Sequence, residues 1–131
     1  MFGWGSRKNT KETGNAGEDA ALAHLLRQGL TLVERNYRVG GGPRRPAGEI
    51  DLILRERNGT LVFVEVRARR ASSHGRAAAT VDLAKQRRIV RAAQTYLMQF
   101  RTLPICRFDV VAIDGPHIEW LQGAFEGGHL S

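Results

Sequence analysis

The sequence predicts one α/β domain with a mixed sheet, in the order helix, three strands, helix, two strands. Gly48 to Arg67 holds two nearly continuous apolar runs, G-E-I-D-L-I-L and T-L-V-F-V-E-V, separated by a charged turn containing Asn58-Gly59. Such a turn between aliphatic runs is a strong hairpin signal, and runs this apolar suit central strands covered on both faces. Two helical stripes flank the hairpin, Ala21, Leu22, Leu25 and Leu26 on one side of it in the chain, and Ile89, Ala92, Ala93, Tyr96, Leu97 and Phe100 on the other. At 131 residues the chain is long enough to bury a core without disulfides.

In chain order, residues 1–14 are polar and aperiodic and read as a mobile tail. Asn15 has the spacing of an N-cap, with Glu18 in the capping-box position, for a helix stopping near Gly29. Residues 31–39 alternate as a first strand, and the G-G-G-P-R-R-P-A stretch after it is a loop without the features of a phosphate loop. After the hairpin comes a small-residue loop, then a helix from near Thr80 or Asp82 to about Phe100. Arg107–Ile113 is a further strand, Asp114-Gly115-Pro116 a turn and His117–Leu121 a short edge strand. The expected folded domain spans 15–126, with 127–131 as a C-terminal tail.

Composition excludes several classes. The lone Cys106 and the four scattered histidines give neither zinc spacing nor a disulfide framework. No apolar run approaches membrane-spanning length and the N-terminus lacks the apolar core of a signal peptide, so the expectation is a cytoplasmic protein without a membrane partner. The net charge of +7 is local: residues 67–91 carry Arg67, Arg69, Arg70, Arg76, Lys85, Arg87, Arg88 and Arg91 against Asp82 alone, while the remainder balances at twelve basic and twelve acidic residues. Concentration of the whole excess directly after the hairpin favours a polyanion such as DNA over a merely solvated helix face.

The hairpin carries two carboxylates that a buried strand does not accept cheaply. Asp51 lies between Ile50 and Leu52, and Glu65 between Val64 and Val66; such a charge must be paired, hydrogen-bonded or metal-bound. Alternation places Glu65 and Arg67 on one strand face. Glu18 is either a helix-capping carboxylate or a third acid aimed at the hairpin, and Lys85, four residues before Ile89, either snorkels or reaches into a site. Asp109 reads as a structural partner for an arginine. Carboxylates with nearby cations suit Mg²⁺ or Mn²⁺, which take oxygen ligands and act on phosphodiesters.

G-E-I-D-L-I followed by V-F-V-E-V-R resembles the D…(D/E)-x-K motif of the PD-(D/E)xK nuclease superfamily. The ordered set G-N-A-G-E-D-A, R-N-Y-R, G-E-I-D-L-I, V-F-V-E-V-R-A-R, K-Q-R-R-I, R-F-D-V-V-A-I and the closing A-F, over roughly residues 14–126, looks like the YraN-type family of small uncharacterised bacterial proteins, similar to Holliday-junction resolvases. The resemblance implies a restriction-endonuclease-like three-layer domain and a divalent-metal-dependent DNA endonuclease for branched or non-B-form DNA. It also implies Glu18, Asp51, Glu65 and the Val66 carbonyl as metal ligands, and a homodimer, since resolvases cut paired strands as dimers. A non-catalytic nucleic-acid-binding module of the same fold is the runner-up. Arg67 departs from the pattern: a guanidinium keeps its proton, so it can stabilise charge and bind phosphate, but water activation would fall to the metal or to another residue, of which Lys85 is the nearest. The expected nucleic-acid-binding residues are Arg69, Arg70, Arg76, Arg87, Arg88 and Arg91.

The metal reading demands one register. A two-residue Asn58-Gly59 turn would set Asp51 and Glu65 on opposite sheet faces. A three-residue Arg57-Asn58-Gly59 loop with left-handed Gly59 brings them across from one another, so that loop, or a compensating bulge elsewhere in the hairpin, is expected.

Overall fold

The structure, a computed structural model, describes residues 10–69 and 81–127, with the backbone alone for residues 10–15 and for Arg69. Its elements are α1 (Thr10–Arg27), β1 (Thr31–Val39), β2 (Gly48–Arg55), β3 (Leu61–Arg69), α2 (Leu83–Leu97), β4 (Cys106–Asp114) and β5 (His117–Phe125). The five strands form one sheet in sequence order. β3 and β4 run parallel and every other neighbouring pair is antiparallel, so the sheet is mixed. A parallel pair needs a long crossover, and the segment carrying α2 provides it.

Each helix covers one sheet face. Ala21 and Leu25 of α1, with Leu30, pack on Leu52, Leu54, Val62, Val64, Val111 and Ile113. On the other face Ile89, Ala92, Ala93, Tyr96 and Leu97 of α2 pack on Ile50, Ile53, Leu61, Phe63, Phe108 and Val110. Burial of β2 and β3 from both sides explains their uninterrupted apolar runs. The result is three layers, helix, sheet and helix.

The β2–β3 connection is the three-residue loop. Arg55 pairs with Leu61, Ile53 with Phe63 and Leu52 with Val64. The Glu56 N–H donates to the Thr60 carbonyl and the Gly59 N–H to the Glu56 carbonyl, each at 2.9 Å, and Gly59 has φ +95°. A side chain there would strain the left-handed backbone, which sets the register of everything beyond it.

Three boundaries differ from the sequence reading. α1 begins at Thr10, so Asn15 lies inside it and is not its N-cap; the cap signal is local, and Lys11 and Glu12 favour continuing the helix. α2 ends at Leu97 with Met98 as its C-cap, leaving Phe100 beyond the helix but still against the core. β5 extends to Phe125, because Leu121 and Phe125 pack against the α2-side core.

α2 starts at Asp82, whose Oδ1 accepts the Lys85 N–H at 2.8 Å. This N-cap fixes the first turn and with it the origin of the Lys85 side chain. Gly48 brings the same helix close to the sheet: a Cβ there would lie 2.9 Å from both the Arg88 carbonyl oxygen and the Ala92 nitrogen.

A carboxylate pair where two strands part

The β2–β3 ladder pairs Leu52 with Val64, and in that register Asp51 would next face Glu65. Instead of extending the ladder, Asp51 uses its side chain: Oδ2 accepts the Val66 N–H at 2.8 Å. The opening between the strands holds both acids, Asp51 at 9% and Glu65 at 4% exposure. The two carboxyl groups lie close enough for one proton to be shared between them.

β1 and β2 turn over together at this level. Leu52 and Leu54 belong to the core under α1, yet Ile50, two residues before Leu52, belongs to the core under α2. Regular alternation would keep Ile50 and Leu52 on one face. Their partners on β1 are Tyr37 and Arg35 respectively, so Asn36 stands opposite Asp51. Asn36 has φ +52°, the left-handed region, and is the only non-glycine residue with positive φ among the described residues. Asparagine tolerates that conformation better than most side chains.

Both helices reach the opening. Lys85 Nζ lies 3.7 Å from Glu65 Oε2 and 3.7 Å from Glu49 Oε2, so it bridges two acids. Arg67 Nη1 is 3.9 Å from Glu65 Oε2, with its side chain more than a third exposed. From the opposite layer, Glu18 of α1 stands close enough to Asp51 to feel its charge. Glu18 Oε1 is 3.5 Å from Arg35 Nη2, whose shorter contact is with Asp19 Oδ1 at 2.8 Å, and the Asn36 side chain is near enough to Glu18 to favour its charged form.

These surroundings disfavour ionised acids. Burial, then the charge of Asp51, pushes Glu65 up to about 8 against the pull of Lys85 and Arg67. Burial also raises Asp51, with the Val66 N–H opposing it, and raises Glu18, with Asp51 adding to the effect. Two carboxyl groups in contact share a proton rather than ionise together, so near neutral pH the pair holds about one.

Glu65 Oε1 is buried and has no hydrogen-bond partner, an orphaned acceptor of the kind a cation or ordered water satisfies. Among the described residues no three of His, Cys, Asp and Glu enclose a cation by themselves. Asp51 and Glu65 still fit Mg²⁺ or Mn²⁺, which are commonly held by one or two carboxylates with water and substrate phosphate oxygens completing the shell.

Among the described residues, the expected nucleic-acid-binding arginines of α2 do not share one side of the helix. Arg88, three residues after Lys85, shares its side of α2. Arg87 and Arg91 are turned away and line a separate cleft of about 430 Å³ with Pro46, Leu83, Val90 and Glu126. Arg69 ends β3, with only its backbone described, and Arg70 and Arg76 lie outside the described residues. Asp109 is the structural acid expected of it: fully buried, it accepts from Arg107 Nε at 3.0 Å, Trp120 Nε1 at 2.8 Å and the Gly123 N–H at 2.9 Å. The sequence reading missed Glu49, Arg35 and Asn36. Glu49 had a signal, its position two residues before Asp51, whereas the other two acquire their role only when β1 lies beside β2.

Fold and site define a restriction-endonuclease-like α/β domain with a carboxylate pair at a strand opening. The chain belongs to the uncharacterised protein family UPF0102, whose sequence profile matches residues 17–113. It is 68% identical over 117 residues to a UPF0102 protein of Methylibium petroleiphilum, covering 89% of this chain and 96% of the relative. It is also 60% identical over 119 residues to one of Acidovorax sp., covering 91% and 88%. No helix among the described residues is long and apolar enough to cross a membrane.

Proposed function

We propose that the protein is a divalent-metal-dependent endonuclease that hydrolyses phosphodiester bonds in DNA. The observation that carries this is the buried Asp51–Glu65 pair, with Glu65 Oε1 unpartnered and Lys85 Nζ 3.7 Å from Glu65 Oε2. Asp51, Glu65 and the Val66 carbonyl would hold Mg²⁺ or Mn²⁺, with Glu18 adding negative charge beside Asp51. A cation of this kind supplies Lewis acidity towards a phosphodiester oxygen and lowers the pKa of water.

The remaining work falls to side chains. Arg67, partly exposed at the rim, meets the scissile phosphate and stabilises the negative charge that builds there. Lys85, anchored by Glu49 and Glu65, is the amine beside the pair, and as an ammonium it orients the attacking water and offsets the charge that builds on it. Arg88 holds the backbone beside the site. The preference for branched DNA and the homodimer follow the resemblance to resolvases rather than any groove at the site.

The arginine at position 67 favours a second reading, in which the same fold binds nucleic acid without cutting it. Incubation of labelled four-way, flap, single-stranded and duplex DNA with Mg²⁺ or Mn²⁺ separates the two. Cleavage by the wild type that Asp51→Asn lacks is the expected outcome; binding without turnover on every substrate supports the second reading.

A further inference from the structure

Asn36 is tied to the site twice. Its backbone takes the left-handed conformation directly opposite Asp51, at the level where β1 and β2 change faces together. Its side chain reaches the opposite way in the chain, to Glu18 on α1. Its neighbour Arg35 faces the α1 layer and contacts both Glu18 and Asp19. Asp19 is well exposed and gains little from that bond, and Arg35 Nε is buried with no partner, so charge pairing alone does not account for the arrangement.

Glu18 needs restraint. It is a carboxylate largely withdrawn from water and close to another carboxylate, and left alone it would rotate towards solvent. Arg35 supplies the opposite charge and Asn36 a neutral donor, from adjacent positions on the strand that bears on Asp51. No other described element offers Glu18 a hydrogen bond.

We propose that Arg35 and Asn36 are positioning residues that hold the Glu18 carboxylate beside Asp51, so that a cation bound by Asp51 and Glu65 feels a third negative charge. This rests on the metal site proposed above. The left-handed Asn36 sets the face change of β1 and β2 and aims the restraint in one residue, linking α1 to the strand opening.

The test is calorimetric titration of Mn²⁺ into the metal-free full chain, beside its thermal midpoint without metal. Asn36→Gly keeps the left-handed backbone and removes the amide. It is expected to keep a midpoint near the wild type while weakening Mn²⁺ about tenfold or more, the usual cost of losing a group that orients a ligand. In a Glu18→Gln background the same change should add nothing, because its effect passes through Glu18. Arg35→Gln, which leaves the strand backbone untouched, should also weaken Mn²⁺, and Arg35→Lys should restore part of the affinity. Unchanged affinity in Asn36→Gly and Arg35→Gln, or an equal loss with and without Glu18, overturns the proposal. A wild type that binds no Mn²⁺ overturns the metal site itself, a different result from a wild type that binds no better than its variants.

Discussion

Asp51 accepts the backbone N–H of Val66 at 2.8 Å, so a side chain on β2 stands in for the ladder bond that the backbones cease to make. That bond ties Asp51 to the residue after Glu65, and brings the two acids together. It is also what keeps a buried, partly charged pair tolerable without a cation, since a carboxylate that accepts a main-chain hydrogen bond costs less to bury.

The metal-free protein should therefore carry a pH-dependent penalty at Glu65. Its folded value of about 8 lies above the 4.5 of an unperturbed glutamate. The folded state then binds more protons than the unfolded state between those values, so stability is fullest below the lower one and is lost as pH rises towards the upper one. Glu65→Gln cannot ionise, and its thermal midpoint should overtake the wild type across this window. A wild type that gains stability relative to Glu65→Gln from pH 5 to 8 would contradict the assignment.

Arg67 and Lys85 should separate kinetically. Arg67→Lys should retain or raise cleavage, whereas Arg67→Ala should lose on the order of a hundredfold, as when an electrostatic stabiliser is removed. Lys85→Ala should reduce turnover far more than Arg91→Ala, since Arg91 faces a different cleft. Equal effects would return Lys85 to a structural role.

Salt should act strongly on DNA binding. Removing Arg87 and Arg88 together should make the plot of log affinity against log salt shallower by roughly one to two units, one for each lost phosphate contact. Because only Arg88 shares the Lys85 side of α2, Arg88→Ala alone should lower cleavage more than Arg87→Ala does. A salt-insensitive complex contradicts the phosphate role.

Gly48→Ala places a methyl group 2.9 Å from the α2 backbone. The expected cost is about 1–3 kcal/mol from overpacking, measured by denaturant unfolding. Because α2 must move, Lys85 moves with it, and activity should fall even where the variant stays folded. Wild-type stability together with wild-type activity would show that the helix is not held this closely.

The hairpin was legible in the sequence because a single turn fixes it. Asn58-Gly59 marked the turn, and a three-residue loop around it lets Asp51 and Glu65 share a site without a compensating bulge elsewhere, the loop that the structure has. Lys85 was legible from helix periodicity. The partnership of Asn36 with Asp51 was not, since it depends on the pairing of β1 with β2, and neither strand alone announces a left-handed residue in its middle. The excess charge after the hairpin was legible in composition, but not the division of Arg87, Arg88 and Arg91 between sides of α2, because composition does not say which side each one faces.

The most direct test of the carboxylate site is titration of Mn²⁺ into metal-free wild type, Asp51→Asn and Glu65→Gln at pH 7, in buffers of different ionisation enthalpy. The wild type should bind the ion with release of about one proton, because a shared proton must leave before both carboxylates can act as ligands, and each variant should bind far more weakly. Binding of equal strength in all three proteins, or none in the wild type, would contradict a metal site at Asp51 and Glu65.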